Sequence, residues 1–326
     1  MPTHAEDPRR RLLQRHPSNP LLTAYDWPYF VNTVFNTGAV QLPSGETLLL
    51  CRVEDCSGIS HLTVARSQDG VTDWKIDKAP TFAPDPERYP EELWGMEDPR
   101  VVWIPELEAF AVTYTCYSQQ GPGVSLALTK DFKEFERIGN IMPPDDKDAA
   151  LLPRRFNGRW AMIHRPLPPS GRAHLWLSFS PDLIHWGDHK VILKARRGAW
   201  WDAGKIGLSP PPIETPEGWL IMYHGVRNTP AGCLYRLGLA LMDLEDPTRC
   251  IMRGTKWIMG PETDYERTGD VGDVVFPCGY SLGKDGDSLN LYYGAADTSI
   301  ALVQGSISEM LAWLKDNSQA GDVSDG

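Results

Sequence analysis

Apolar residues fall along the chain in short alternating runs, and the same phrase of runs comes round five times. One strand-like run closes on a polar end in TLLLCRVED, FAVTYTCYS, RWAMIHRP, GWLIMYHGV and LNLYYGAAD. A second alternating run follows each, namely ISHLTVARS, GVSLALTKD, HLWLSFSPD, YRLGLALMD and TSIALVQGS. Alternation with period two marks a strand with one buried face. Ahead of each pair stands another apolar run: NTGAVQL, EDPRVVWI, KDAALLPR, KIGLSPPPIE and GDVVFPCGY. In the first three repeats, turn residues after the pair lead to an aromatic, in SQDGVTDW, TKDFKEF and SPDLIHW.

Three or four strands per unit, repeated at a spacing of roughly 60 residues, predict an all-β fold, a five-bladed β-propeller. A sandwich would give no reason for one phrase to recur along the whole chain. Helical periodicity stands out once, in SISEMLAWLKD, where Ile307, Met310, Leu311 and Leu314 share a face. The expected organisation is an N-terminal arm over 1–20, a single propeller over 21–316 and a flexible tail over 317–326. The basic segment RRRLLQRHP within the arm suggests an oligomer contact or a mobile extension.

Composition narrows the function. A formal charge of −11 argues against a nucleic-acid binder that relies on a broad basic field, and against attachment to anionic lipid. No stretch approaches the ~20 apolar residues of a membrane span, and the N-terminus has no signal-like apolar run. The expected compartment is the cytoplasm. Six cysteines, mostly inside apolar runs and without a CxxC pair, read as buried free thiols, with no metal site expected.

The propeller gives scattered polar residues a common address, because innermost strands line a central channel and residues of equal phase converge there. At the starts of those strands stand Asn36, Asp98, Lys147 with Asp148, Lys205 and Asp273. At the ends of the second strands stand Arg52, Tyr117, Arg165, His224 and Asp297. Each has a bland alternative: Asp98 before proline can cap a turn, His224 can be a core histidine, and Arg52 can pair with Glu54 or Asp55. Their coincidence of phase is what favours a site. Among the aromatics, Trp27, Tyr29, Tyr89, Trp200 and Trp201 could stack on a ligand at the rim or fill gaps between blades.

FNTGAV, RVED, WGMEDPR, KDAALLP, IHRP, WWDAGKIG, YHGV and YYGAADT, in that order, resemble glycoside hydrolase family 130, whose members include mannoside phosphorylases and some β-mannosidases. The resemblance implies that Asp98 is the general acid, passing its proton through a hydroxyl of the bound sugar. It implies that phosphate is held by Lys147, Arg165, Lys205 and His224, and the sugar by Asn36, Thr37, Arg52 and Asp297. Glu97, Arg100, Asp148, Tyr223 and Asp273 are supporting candidates. The stretch DCSGISH lacks a phosphate-contacting arginine that some relatives carry after R-x-E, and Lys147 stands where some have arginine.

The expected activity is phosphorolysis of a β-mannoside to α-mannose 1-phosphate, with inorganic phosphate as co-substrate and no cofactor. A phosphorylase needs one carboxylate where an inverting hydrolase needs two. Hydrolysis with water at the same site and a catalytically silent sugar-binding propeller are the alternatives. The expected partners are a mannose-containing oligosaccharide and phosphate, with homo-oligomer formation open. A raised Asp98 pKa, from desolvation against Trp94 and Met96, is expected of an acid working near neutrality.

Overall fold

In the computed structural model, which describes residues 12–168, 172–230 and 232–320, the five repeats become five antiparallel sheets around a centre. From inside outwards, the first blade runs Thr33–Gln41, Thr47–Glu54, Ser60–Ser67 and Lys75–Ile76. The second is Met96–Ile104, Ala109–Ser118, Gly121–Thr129 and Glu136–Met142, and the third Asp146–Leu151, Trp160–Pro166, Leu175–Ser180 and Gly187–Leu193. In the fourth the inner strand is broken into Lys205–Leu208 and Ile213–Thr215, because Pro210, Pro211 and Pro212 bring no N–H to the ladder. Gly218–Thr229, Gly232–Met242 and Cys250–Gly254 complete it. The fifth runs Val275–Leu282, Ser288–Ala295 and Ser299–Ser306.

The turn after each third strand has a shared mechanism. Asp69 Oδ1 accepts the backbone N–H of Val71 and Thr72 at 2.8 and 2.7 Å. Asp131 does the same for Lys133 and Glu134, and Asp182 for Ile184 and His185. The aromatics that follow lock two of these turns, since the indoles of Trp74 and Trp186 each donate to a carbonyl three residues back at 3.0 Å. Aspartate at the turn start is the usual local substitute for a backbone turn bond.

Two expected boundaries are corrected. Leu13–Arg15, assigned to an arm, pairs with Ser299–Ser306 in the register Leu13↔Gly305 and becomes the outermost strand of the fifth blade. Leu12 and Leu13 are buried in the same core cluster as Val303 and Met310, so this segment is folded by its apolar residues. Ser318–Ala320, assigned to the tail, pairs with Cys250–Gly254 of the fourth blade. Residues 1–11 and 321–326 lie outside the described residues. The helix Ile307–Asn317 is capped by Ser306, which accepts from the Glu309 N–H, and buries Trp313 in addition to its four predicted apolar positions. A one-turn helix over Asp264–Arg267 was not anticipated. None of the six cysteines is in a disulfide, and Cys56 and Cys233, expected to be buried, are exposed.

Where the first strand joins the last blade, Glu266 is fully buried. Arg15 grips it through Nε and Nη2 at 2.7 and 3.0 Å, Tyr293 Oη donates at 2.7 Å, and the N–H groups of Glu262 and Thr263 complete the shell. Burial alone would raise the Glu266 pKa, yet Arg15 and these donors hold it below the ordinary value. Removing one partner of a buried pair leaves an uncompensated charge. Arg15→Ala is therefore expected to cost about 3 kcal/mol in urea unfolding, and adding Glu266→Gln should recover part of that loss; an unchanged midpoint in Arg15→Ala would contradict it.

Candidate active site

Three inner strands start with a fault in their register. The ladder slips between Phe35 and Thr37, between Glu97 and Arg100, and between Lys147 and Ala150. At these bulges Asn36, Asp98 and Asp148 take positive φ values of 40°, 49° and 55°. Asparagine and aspartate tolerate this left-handed region better than other side-chain-bearing residues, and a bulge re-aims the side chain it carries. The result is that all three polar groups line one central cavity of about 120 Å³.

Asp98 occupies one side of that cavity. Its Oδ1 accepts from Asn36 Nδ2 at 2.9 Å and from Arg52 Nη1 at 3.0 Å. Arg52 in turn donates to Glu97 Oε1 at 3.0 Å and to Ser60 Oγ at 2.9 Å, and lies over the Phe35 ring. Burial pushes the Asp98 pKa up, but Arg52, Arg100, Lys147 and the Asn36 bond outweigh it, so the carboxyl sits below the ordinary value. This overturns the expected rise. Trp94, expected to desolvate it, is exposed and packs edge-on against Tyr117 instead. Asp297 behaves oppositely: burial and the neighbouring charge of Asp98 raise it to about 6, against the pull of Arg52.

Cations dominate the other side. Arg165 Nε lies 2.7 Å from Asp148 Oδ2, and His224 Nε2 lies 3.4 Å from the same oxygen. Lys205 Nζ sits 5.4 Å from the Tyr235 ring centroid, and Lys147 also lines the cavity. Burial, assisted by Arg165 and Lys205 and only partly opposed by Asp148, lowers the His224 pKa to about 3, so its ring is neutral at pH 7. Burial likewise lowers Lys205, whereas the cations around Asp148 overcome its burial and hold it well below the usual carboxylate range. Arg100 links the two sides: Nη1 donates to the Asp98 carbonyl at 2.8 Å, Nη2 to Leu208 O at 3.2 Å and Asp148 Oδ1 at 3.4 Å, and Nε to Ser209 O at 3.2 Å.

Of the residues proposed from sequence, Asn36, Arg52, Asp98, Lys147, Asp148, Arg165, Lys205, His224 and Asp297 all line this cavity. Glu97 and Arg100 support it through Arg52 and Asp98. Thr37 does not: it follows the bulge, and its hydroxyl is buried against Gly38 O and Cys51. Tyr223 faces the opposite side of its strand from His224, stacks on Trp201 and bonds to Asp202. Asp273, with a left-handed φ of 60°, and Tyr117 are also absent from the lining. Tyr235, Val271, Val274 and Phe276 were missed. Tyr235 reaches the cavity because the Gly218–Thr229 and Gly232–Met242 hairpin is longer than the others, a length the sequence hides because Arg227, Asn228 and Thr229 break the apolar run before the turn. Of the candidate rim aromatics, Trp27 and Trp201 are buried, and Tyr29 bonds to His61 and Thr63.

A five-bladed propeller whose small central cavity sets Asp98 and Asp297 against a cluster of cations, with Asp148 tied up among them, has the acid and the charged pocket that glycosidic-bond chemistry uses. A family model described as β-1,4-mannooligosaccharide phosphorylase matches residues 4–316, and the chain belongs to glycoside hydrolase family 130. It is 40% identical over 260 residues to a β-1,2-mannobiose phosphorylase of Listeria innocua, covering 79% of this chain and 70% of that one. It is 32% identical over 315 residues to a β-1,4-mannooligosaccharide phosphorylase of Ruminococcus albus, covering 94% and 92%. The solved structure of a Listeria innocua β-1,2-mannobiose phosphorylase in complex with β-1,2-mannobiose superposes with a TM-score of 0.84 at 33% identity, covering 94% of this chain and 99% of that one.

The raised Asp297 carries a sign. With a folded pKa of about 6 against an unfolded value near 3.9, the folded state holds more protons between those values, so this group's contribution to stability falls as pH rises from about 4 to 6. Asp297→Asn should therefore be more stable than the parent above pH 6, by on the order of 2 kcal/mol, with the advantage vanishing near pH 4. Thermal unfolding of both proteins across pH 4–8 checks this; parallel curves would refute it.

Proposed function

We propose that the central cavity carries out inverting phosphorolysis of a terminal β-mannoside, with phosphate held by Lys147, Arg165, Lys205 and His224 and the proton delivered on the Asp98 side. The observation that carries this is the division of charge across the cavity. Inverting hydrolysis requires a second carboxylate free to activate water on the face opposite the acid. Here the carboxylate among the cations, Asp148, is engaged by Arg165, Arg100 and His224 and is a weak base. Asp297 has a more suitable pKa, but its charged neighbours are Asp98, Arg52, Glu97 and Lys147, which puts it on the acid's side. Inorganic phosphate supplies its own nucleophilic oxygen and needs only positive charge and orientation.

The lowered Asp98 pKa fits this chemistry. Phosphate enters as HPO₄²⁻, its oxygen forms the new bond to the anomeric carbon, the glycosidic bond breaks, and the leaving oxygen gains the one proton that phosphate loses. A dianion beside Lys147 and Arg165 offsets the cations that depress Asp98 and moves its pKa upwards. Asp98 thereby takes up a proton when its co-substrate arrives, and the proton that phosphate releases on forming the ester replaces the one Asp98 donates. Asp98 then passes the proton on, through a sugar hydroxyl as the family resemblance implies, a step of roughly 10²- to 10⁴-fold in rate. Arg52, Asn36 and Asp297 offer donors and an acceptor for the mannosyl hydroxyls. The cavity is far below the ~300–1,000 Å³ of pockets that enclose a drug-sized ligand, so an oligosaccharide enters by one end.

A β-1,2 linkage is the better supported preference, because the 40% identical relative and the superposed structure carry that name, against 32% for the β-1,4 enzyme. The cytoplasm suits a chain whose six cysteines form no disulfide. No helix among the described residues is long and apolar enough to cross a membrane.

Release of mannose 1-phosphate from β-1,2- and β-1,4-mannobiose, with and without phosphate, tests the proposal. Turnover should require phosphate and favour the β-1,2 disaccharide. Asp98→Asn should lower kcat by at least 10² while sugar binding persists. Equal release of free mannose in phosphate-free buffer would replace phosphorolysis by hydrolysis.

A further inference from the structure

A second concavity, of about 470 Å³, lies on the fourth blade. It is lined by Arg197, Trp200, Trp201, Arg227, Lys256 and Trp257, three indoles and three cations without a carboxylate, on a chain of net charge −11. Trp200 and Trp201 come from the segment that leads into the inner strand at Lys205. Arg227 lies three residues beyond His224 on one strand, a reach of about 10 Å, and by alternation it projects from the opposite face. The groove therefore borders the central cavity without opening onto the same sheet face.

Its polar chemistry is one-sided. The side chains of Arg197 and Arg227 are exposed and make no hydrogen bond or ion pair among the described residues. Lys256 donates to Asn317 Oδ1, and the Thr255 hydroxyl is spent on Asn317 O. The nearby carboxylate of Asp202 is fully buried and engaged by Arg196 and Arg253. The indole of Trp201 donates to Thr255 O. Guanidinium, ammonium and indole groups donate and do not accept. A neutral saccharide, whose hydroxyls must also donate, is a poor match for such a lining. An anion with several acceptor oxygens is a good one, and guanidinium forks suit phosphate in particular. Arg196 lies over the Trp200 ring at 4.5 Å and Arg236 over the Trp257 ring at 4.9 Å, so each indole is backed by a cation on one face. Trp200 remains 38% exposed, and the other face of such an indole is flat apolar surface of the kind that packs on the C–H face of a sugar ring.

We propose that this groove is a second ligand site, distinct from the central cavity, that takes a hexose phosphate, with the phosphate on Arg197 and Arg227 and the ring against Trp200 and Trp257. The choice of α-mannose 1-phosphate as probe rests on the phosphorolysis proposed above; the site itself does not. Calorimetric titration of the full chain with α-mannose 1-phosphate in phosphate-free buffer should give two equivalents. Arg197→Gln/Arg227→Gln should lose one of them, with affinity at that site falling at least ten-fold, and keep its rate of β-mannobiose phosphorolysis. Both side chains are exposed and unpaired, so the variant folds as the parent does, which its unchanged melting temperature will show. Arg165→Ala should lose the other equivalent and keep the groove. Inorganic phosphate should bind the groove more weakly than the sugar phosphate, and neutral β-1,2-mannobiose should not bind it. A single equivalent on the parent chain that persists in Arg197→Gln/Arg227→Gln, two on the double variant, or loss of neutral mannobiose binding in that variant would each overturn the proposal, whereas a single equivalent that the double variant loses would keep the groove and count against the central cavity alone. Because binding is read without turnover, failure of phosphorolysis would leave this result separately legible.

Discussion

Arg100 is the constraint on which the centre of the molecule depends. It is almost wholly buried, and its donors reach the backbone of the second blade at Asp98, the backbone of the fourth at Leu208 and Ser209, and the side chain of Asp148 in the third. A buried guanidinium carries a large desolvation cost unless its donors are matched. Here each match is also a positional restraint on a residue of the cavity. Asp98 and Asp148 stand at bulges with left-handed φ values, conformations that persist only where surroundings over-determine them. One side chain thus fixes both carboxylates and ties three blades together.

The charge pattern follows from that arrangement. Two aspartates in one cavity are pushed apart in acidity, Asp98 down by Arg52, Arg100 and Lys147, Asp297 up by burial and by Asp98. Neighbouring carboxylates driven apart in this way serve different purposes. The cations opposite are held from collapsing onto Asp98 by Asp148, which pairs with Arg165 and faces His224. Asp148 is therefore a spacer in a positive lobe, a role its place beside Lys147 in the sequence does not suggest.

The blades and most of the cavity were legible because both depend on strand phase. Period-two alternation located all five inner strands, and equal phase brought Asn36, Asp98, Lys147, Arg165, Lys205, His224 and Asp297 together. Thr37 failed because a bulge at Asn36 reverses the face of the next residue, and a bulge leaves no mark in an apolar pattern. Tyr223 failed for the same reason in simpler form, one residue out of phase with His224. The Asp98 pKa was misjudged because only desolvation could be guessed from Trp94 and Met96; the opposing cations come from the first, second and third blades. The terminal pairings escaped because three-residue strands carry too little alternation to be seen.

The closing strand has a temporal side. Leu13 pairs with Gly305, 292 residues later, so the last sheet is completed by a segment synthesised long before its partner strand. At translation rates of about 5–20 residues per second that segment waits roughly 15–60 s for its partner strand. Throughout that interval Leu12 and Leu13 have nothing to bury against, and four blades can form while the circle stays open. Such long-range pairing is slow to form and leaves an apolar edge vulnerable to association with other chains. Yield on expression, more than the stability of the finished ring, is where a weakened Leu12–Arg15 segment would first be felt.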